Sequence, residues 1–177
     1  TVRRDGSSRF IDNKYSVFPS GSIGWRISNE SFMDNVNFIS DLKLRASYGI
    51  LGNNEVGGDY PGYSNFGTSV GTANYDINGT GNSTVTGFEQ TSTGNPKLRW
   101  ESSAITNIGF DANLLNAITL SLEWYTRKTT DMIYNVELPL ELGAVGRQAQ
   151  NIGSMKNTGI DFSVSYAKRI NRDFNFN

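Results

Sequence analysis

The side chains able to do chemistry in this sequence are carboxylates, guanidiniums, amines, phenols and hydroxyls. The 177 residues include no Cys and no His. That removes disulfides, thiol nucleophiles, Cys/His zinc sites and imidazole bases together. The charged groups recur at alternate positions: Asp41, Lys43 and Arg45; Glu101 and Asp111; Glu123 and Arg127; Asp161 and Arg169. Paired carboxylates could serve a glycosidase, but that chemistry needs a defined separation between two carboxyl groups, which no spacing here fixes. No phosphate-binding glycine motif or serine elbow is present. Asp76 to Gly81 opens like a calcium loop, with Gly at the sixth place, but its twelfth place is Gly87 where a bidentate Glu is needed. A polar turn is the better reading, and no metal or cofactor is expected. Asn78-Gly79-Thr80 and Asn82-Ser83-Thr84 fit the glycosylation pattern, which arises readily by chance in an Asn-rich loop. No enzyme activity is expected. Sixteen basic against seventeen acidic residues also leave no surplus for a nucleic-acid surface.

What positions these groups is a strict period of two. From Trp100, one face reads Trp100, Ser102, Ala104, Thr106, Ile108, Phe110, Ala112, Leu114. The other carries Glu101 and Asp111. Ile118, Leu120, Leu122 and Trp124 oppose Glu123 and Arg127. Ile160, Phe162, Val164 and Tyr166 oppose Asp161 and Arg169. Leu42, Leu44, Ala46, Tyr48 and Ile50 oppose Asp41, Lys43 and Arg45, and Gly21, Ile23, Trp25 and Ile27 oppose Arg26. The charges fall on the polar face, and the apolar face has none until Lys168.

Runs of about 9 to 15 residues exceed the usual five or six of soluble strands and suit tilted strands crossing a bilayer. The connections alternate in length. Leu51 to Leu98 and Thr130 to Asn157 read as long loops, Asn13 to Pro19 as a polar loop, Asn29 to Ser40 as a moderate turn. Leu115-Asn116 and Asn171-Arg172 read as tight turns. Outer-membrane barrels show this asymmetry of short periplasmic turns and long outer loops. With the long loops outside, Trp100, Tyr48 and Trp124 fall toward the outer end of a lipid-facing girdle, and Trp25 and Tyr166 toward the periplasmic end. Arg45, Glu101, Asp111, Glu123, Arg127 and Asp161 then face the lumen, most of them as hydrated ion pairs. The expected fold is all-β: an antiparallel transmembrane β-barrel segment, open and curved. A soluble β-sandwich carbohydrate-binding module is the alternative of a different class. Both ends of the chain lie inside extended runs, Thr1 to Arg4 and Asp173 to Asn177, and read as cut from a larger protein.

The long loop from Leu51 sets Tyr60, Tyr63, Phe66, Tyr75 and Phe88 among Asn, Gly, Ser and Thr. Aromatic faces stack on sugar rings and amides bond hydroxyls, so these residues are candidates for substrate contact, or for contact with a closing lid.

Several segments together resemble the SusC/RagA family of TonB-dependent outer-membrane transporters. They are Arg4-Asp5-Gly6-Ser7-Ser8-Arg9-Phe10, Phe18-Pro19-Ser20 with Gly24-Trp25-Arg26-Ile27 and Glu30-Ser31-Phe32, and Leu42 to Gly49 with Gly52-Asn53. Asn95-Pro96-Lys97-Leu98-Arg99-Trp100-Glu101, Tyr125 to Ile133, and Asn151-Ile152-Gly153 with Asn157 to Asp161 complete the set. The resemblance implies about six long strands of a 22-stranded barrel around a plug. It implies one barrel domain over residues 1–177, with plug and terminal strands outside it. It implies uptake of oligosaccharides or peptides in the cell outer membrane, powered by TonB-ExbB-ExbD, with a SusD-like surface lipoprotein as lid and outer-membrane lipid around the wall. A siderophore or cobalamin receptor of the TonB-dependent class is the nearer alternative; a SusD-like gene directly downstream would favour the oligosaccharide or peptide system over it.

Overall fold

The structure is a computed structural model, and it describes residues 1–68, 74–76, 79, 81, 84–139, 141, 146–169 and 175–176. Six strands form one antiparallel sheet: β1 (Val2–Gly6), β2 (Tyr15–Arg26), β3 (Ile39–Asn53), β8 (Glu101–Leu114), β9 (Ile118–Glu137) and β10 (Arg147–Tyr166), in that spatial order. Within the excursion between β3 and β8, β4 (Asn65–Gly67) pairs with β7 (Glu89–Ser92), and β5 (Asn74–Asp76) pairs with β6 (Thr84–Thr86) inside them. Short β11 (Lys168–Arg169) and β12 (Asn175–Phe176) pair with each other. Two single 3₁₀ turns, Ile27–Asn29 and Ser31–Met33, begin the β2–β3 connection.

Because opposed residues of an antiparallel pair share a face, the register sorts side chains into rows across the sheet. Trp25, Leu44, Phe110, Leu122 and Phe162 form one row, and Ile23, Ala46, Ile108, Trp124 and Ile160 the next. Above them lie Gly21, Tyr48, Thr106, Thr126 and Thr158. On β10 the apolar run is Ile160 to Tyr166, below that level; on β2 it climbs from Trp25 to Tyr15. An apolar slab whose window shifts from strand to strand is what tilted barrel strands require.

The apolar face is uncovered. Ile23, Ile160 and Phe162 are 62–72% exposed, and no second sheet packs on them among the described residues. A sandwich would bury this face under a second sheet, and the described residues form none.

Two expected loops are partly strand. Residues 15–19 belong to β2, and β9 and β10 continue in register to Glu137 and Arg147, leaving 138–146 as the connection. Beyond the apolar slab both faces are wet, so the period of two fades from the sequence while backbone pairing persists. The ladder skips Asp131 and Ile152. Asp131 takes a left-handed φ of 56°. It is held there by Arg99, 2.8 Å from its carboxylate, and by the Asn151 amide, which donates to its carbonyl at 2.8 Å. The Leu115-Asn116 turn has φ of 53° and 52°, the primed hairpin conformation. Leu is a poor residue there, and the Leu115 N–H bond to Phe38 O at 2.9 Å helps hold it. The tight turn at Asn171-Arg172 lies outside the described residues.

Candidate functional site

The polar face gathers its charges around a residue without a side chain. Gly24, Arg45, Gly109, Glu123 and Asp161 share one row. Gly109 leaves β8 bare, so the Arg45 guanidinium reaches across it to Glu123 on β9. Its Nε also lies 3.2 Å from Asp111 Oδ2, and Ser121 Oγ–H donates to Asp111 Oδ1 at 2.7 Å. Asp161 stands directly opposite Glu123 and has no ion-pair partner among the described residues. One guanidinium therefore holds two carboxylates, and Arg45 and Glu123 line a shallow hollow of about 260 Å³ together with Ser121, Asp161 and Ser163.

Glu101 and Arg127 occupy the same face but stand apart from this group. Glu101 accepts from the Ile133 N–H at 3.4 Å, and Arg127 donates to Ser103 Oγ at 3.4 Å. Asp41 pairs with Arg26 at 3.3 Å and accepts from Ser28 at 2.8 Å. All six residues expected to share a face do so; three of them, Arg45, Asp111 and Glu123, are joined by ion pairs.

Of the five expected girdle aromatics, Trp25, Tyr48, Trp124 and Tyr166 lie on the apolar face, 39–49% exposed. Trp100 corrects the expectation. It is 8% exposed and precedes β8, packed against Phe10 and Phe18 with ring centroids at 5.4 and 5.5 Å. With Leu98, Val56 and Ala149 it forms the one buried apolar cluster described in the chain. Period-two reasoning assigned it a face by extending β8 one residue too far, into the turn that ends the long excursion.

That cluster ties three segments together, and sequence reading missed the tie. Asn13 Nδ2 donates to the carbonyls of Lys97 and Leu98 at 3.2 and 3.3 Å, and the Trp100 indole N–H donates to Lys14 O at 3.3 Å. Asn95 Nδ2 reaches Ala149 O at 2.9 Å, and Gln148 Nε2 reaches Gly94 O at 2.9 Å. Each amide satisfies a backbone group some 50 to 85 residues away. Asn95 beside Pro96 was the available signal; its partner was not.

The five loop aromatics are exposed, 54–71%. Tyr60 and Tyr63 meet edge to face at 6.5 Å and border a groove of about 270 Å³ with Asp59, Asn135 and Arg147. Phe66 lies on β4 opposite Gln90, Tyr75 lies on β5 with its ring over Gly87, and Phe88 joins β6 to β7. The groove offers two aromatic faces, one carboxylate, one guanidinium and the amides of Asn65 and Asn135. That suits a polar, ring-bearing or peptide-like solute. Asp76 Oδ2 accepts from the Gly81 N–H at 2.6 Å, closing its own turn as a polar turn does. The rest of that motif and both glycosylation patterns involve residues outside the described set. Arg169 lies in β11, where the side chain is not described.

Residues 1–177 match a family model described as TonB dependent receptor-like, beta-barrel. The chain is 37% identical over 176 residues to the TonB-dependent receptor SusC of Bacteroides thetaiotaomicron, covering 98% of this chain and 17% of that protein. It is 38% identical over 176 residues to the TonB-dependent receptor P3 of Formosa agariphila, with the same coverage. Among solved structures, it matches the RagAB peptide importer in the open-open state with a TM-score of 0.82 and in the closed-closed state with 0.81. Both matches are 35% identical and cover 98% of this chain and 18% of that one. The chain thus spans about a sixth to a fifth of the length of these relatives.

Proposed function

The chain belongs to the TonB-dependent receptor-like β-barrel family, and on that premise we propose that it forms part of the wall of an outer-membrane active transporter for oligosaccharides or peptides. The observation that carries this reading is the two-faced sheet: an uncovered apolar slab on one side and a ladder of ion pairs on the other. The apolar side meets lipid, with Trp25, Tyr48, Trp124 and Tyr166 among its aromatics. The polar side meets the lumen, where Arg45 and its carboxylates hold a hydrated surface against a plug or a passing solute. Likeness to SusC and to a peptide importer supports the solute classes.

Transport in this reading makes and breaks no bond. A SusD-like surface lipoprotein closes over the long-loop end, and TonB-ExbB-ExbD supplies energy through regions outside these residues. The near-equal match to open-open and closed-closed states supports a wall that keeps its shape while a gate moves elsewhere. Tyr60, Tyr63, Phe66, Tyr75 and Phe88 contact the substrate or the lid.

The test uses the absence of Cys within these residues. In the intact protein, freed of any other Cys, spin labels go singly at Leu120 and Ser121, neighbours on β9 that point to opposite faces. The Leu120 label should meet oxygen and escape a water-soluble nickel relaxant, and Ile108 and Phe162 should repeat that signature. Ser121 should meet nickel unless a plug covers it. A Leu120 label shielded from both reagents would defeat the reading.

A further inference from the structure

The apolar face carries three charged residues along the six paired strands, and all three are basic: Arg4 on β1, Lys128 on β9 and Lys156 on β10. Every acidic residue in those strands' register, from Asp5 to Asp161, falls on the other face or, like Asp131, in the bulge. All three lie toward the end that carries the long connections. Lys128 and Lys156 are directly opposed across the β9–β10 ladder, both are exposed, and neither has an ion-pair partner among the described residues.

Like charges directly opposed across a ladder destabilise it. Here the pair sits two rows beyond Trp124 and Ile160, where the apolar slab ends. The intervening row is Thr126 and Thr158, whose hydroxyls bond each other at 3.0 Å, and the next row out is Thr130 and Ser154. Ala104 flanks Lys128 on β8 and leaves the ammonium groups open. The surface that complements this patch has an anion at the height of the lysines and hydrocarbon below it, along Trp124, Ile160, Leu122 and Phe162. A free anion satisfies the first half and not the second; an acidic amphiphile satisfies both.

We propose that Lys128 and Lys156 form a binding site for the phosphate of an anionic outer-leaflet lipid whose acyl chains lie on the adjoining apolar rows. The proposal rests on the reading that this face meets lipid, and it adds a headgroup preference at one position on the wall.

The experiment uses the intact protein with any other Cys removed and a fluorophore on Ser154→Cys, one row from the pair. It is reconstituted in phosphatidylcholine vesicles containing a minor fraction of nitroxide-bearing lipid, either phosphatidylglycerol or phosphatidylcholine, with the nitroxide high on the acyl chain. Phosphatidylglycerol should quench with up to roughly thirtyfold preference, the order expected of two lysines at a lipid surface. The preference should fall to parity in K128Q/K156Q and survive in K128R/K156R. A heat-shifted gel band shows that each variant is folded. Equal quenching by both lipids, or a preference that persists in K128Q/K156Q, overturns the proposal. Loss of the preference on adding inorganic phosphate, with chloride at matched ionic strength inert, also overturns it and makes free phosphate the ligand. Absence of quenching by either lipid overturns the lipid-facing reading itself, and so is distinct from loss of selectivity.

Discussion

Gly109 is the position where a single added carbon should cost most on the polar face. A Cβ built there lies 2.6 Å from the Leu122 carbonyl oxygen and 3.2 Å from Glu123 Cα, both backbone atoms of the paired strand. Backbone cannot rotate aside, so β8 and β9 must separate or shift. Forced overpacking of this kind costs about 1–3 kcal/mol. The methyl group also stands in the path by which Arg45 reaches Glu123, a part-exposed ion pair that adds about 1 kcal/mol at most. Gly159 supplies the control. Its added Cβ also comes within 2.6 Å of a neighbour, but that neighbour is the end of the Tyr125 ring, which can swing away from the sheet. Gly109→Ala in the intact protein should therefore lower the midpoint of the heat-induced gel shift well below that of Gly159→Ala. In an Arg45→Met background the penalty of Gly109→Ala should shrink, because the blocked ion pair is already gone. Equal stability of Gly109→Ala and the parent, or a larger loss in Gly159→Ala, would refute the reasoning.

Trp100→Ala should cost about 3–5 kcal/mol, because it empties the centre of the cluster with Phe10 and Phe18. Denaturant unfolding from micelles checks this, and a loss no greater than for exposed Trp124→Ala would return Trp100 to the girdle. Replacing residues 65–92 by a short Gly-Ser link should leave the barrel folded, since the segment from Asn95 to Trp100 that anchors the long loop is untouched, while substrate capture or lid docking falls. A missing heat-shifted band would make that excursion structural, and unchanged uptake would remove it from function.

How much could be read from residues alone depended on where water is. Inside the apolar slab one face is dry, so a one-residue slip would invert every side chain; the alternation of Leu42 to Ile50 or Ile118 to Trp124 therefore specified strand, face and partner at once. Above the slab neither face is dry. There the sequence lost the strands of residues 130–137 and 147–157, which backbone pairing alone sustains. The polar group was legible as a face, because Arg45, Asp111, Glu123 and Asp161 each alternate with the apolar residues of their own strand. That Arg45 would bind across β8 was not, because it needs Gly109 placed by register on the neighbouring strand, between it and Glu123. Trp100 misled because parity says nothing about a residue that lies just outside the strand it was assigned to. The amide bonds of Asn13, Asn95 and Asn151 join segments whose nearness only the fold creates.

The nested pairing of β4 with β7 around β5 and β6 bears on how the chain reaches this state. Every neighbouring pair in the large sheet is joined by a modest connection except β3 and β8, which must find each other across residues 54–100. Closing so long a loop in one step costs about 2 kcal/mol more in chain entropy than closing a four-residue turn. The small inner hairpins divide that search. Pairing of β5 with β6 would close only a few residues, would bring β4 to β7, and would leave the gap from Asn53 to Glu101 to be bridged by short arms. The excursion read as a binding surface is thus also a sequence of short closures, which would let the central seam of the sheet zip at a rate set by local hairpins.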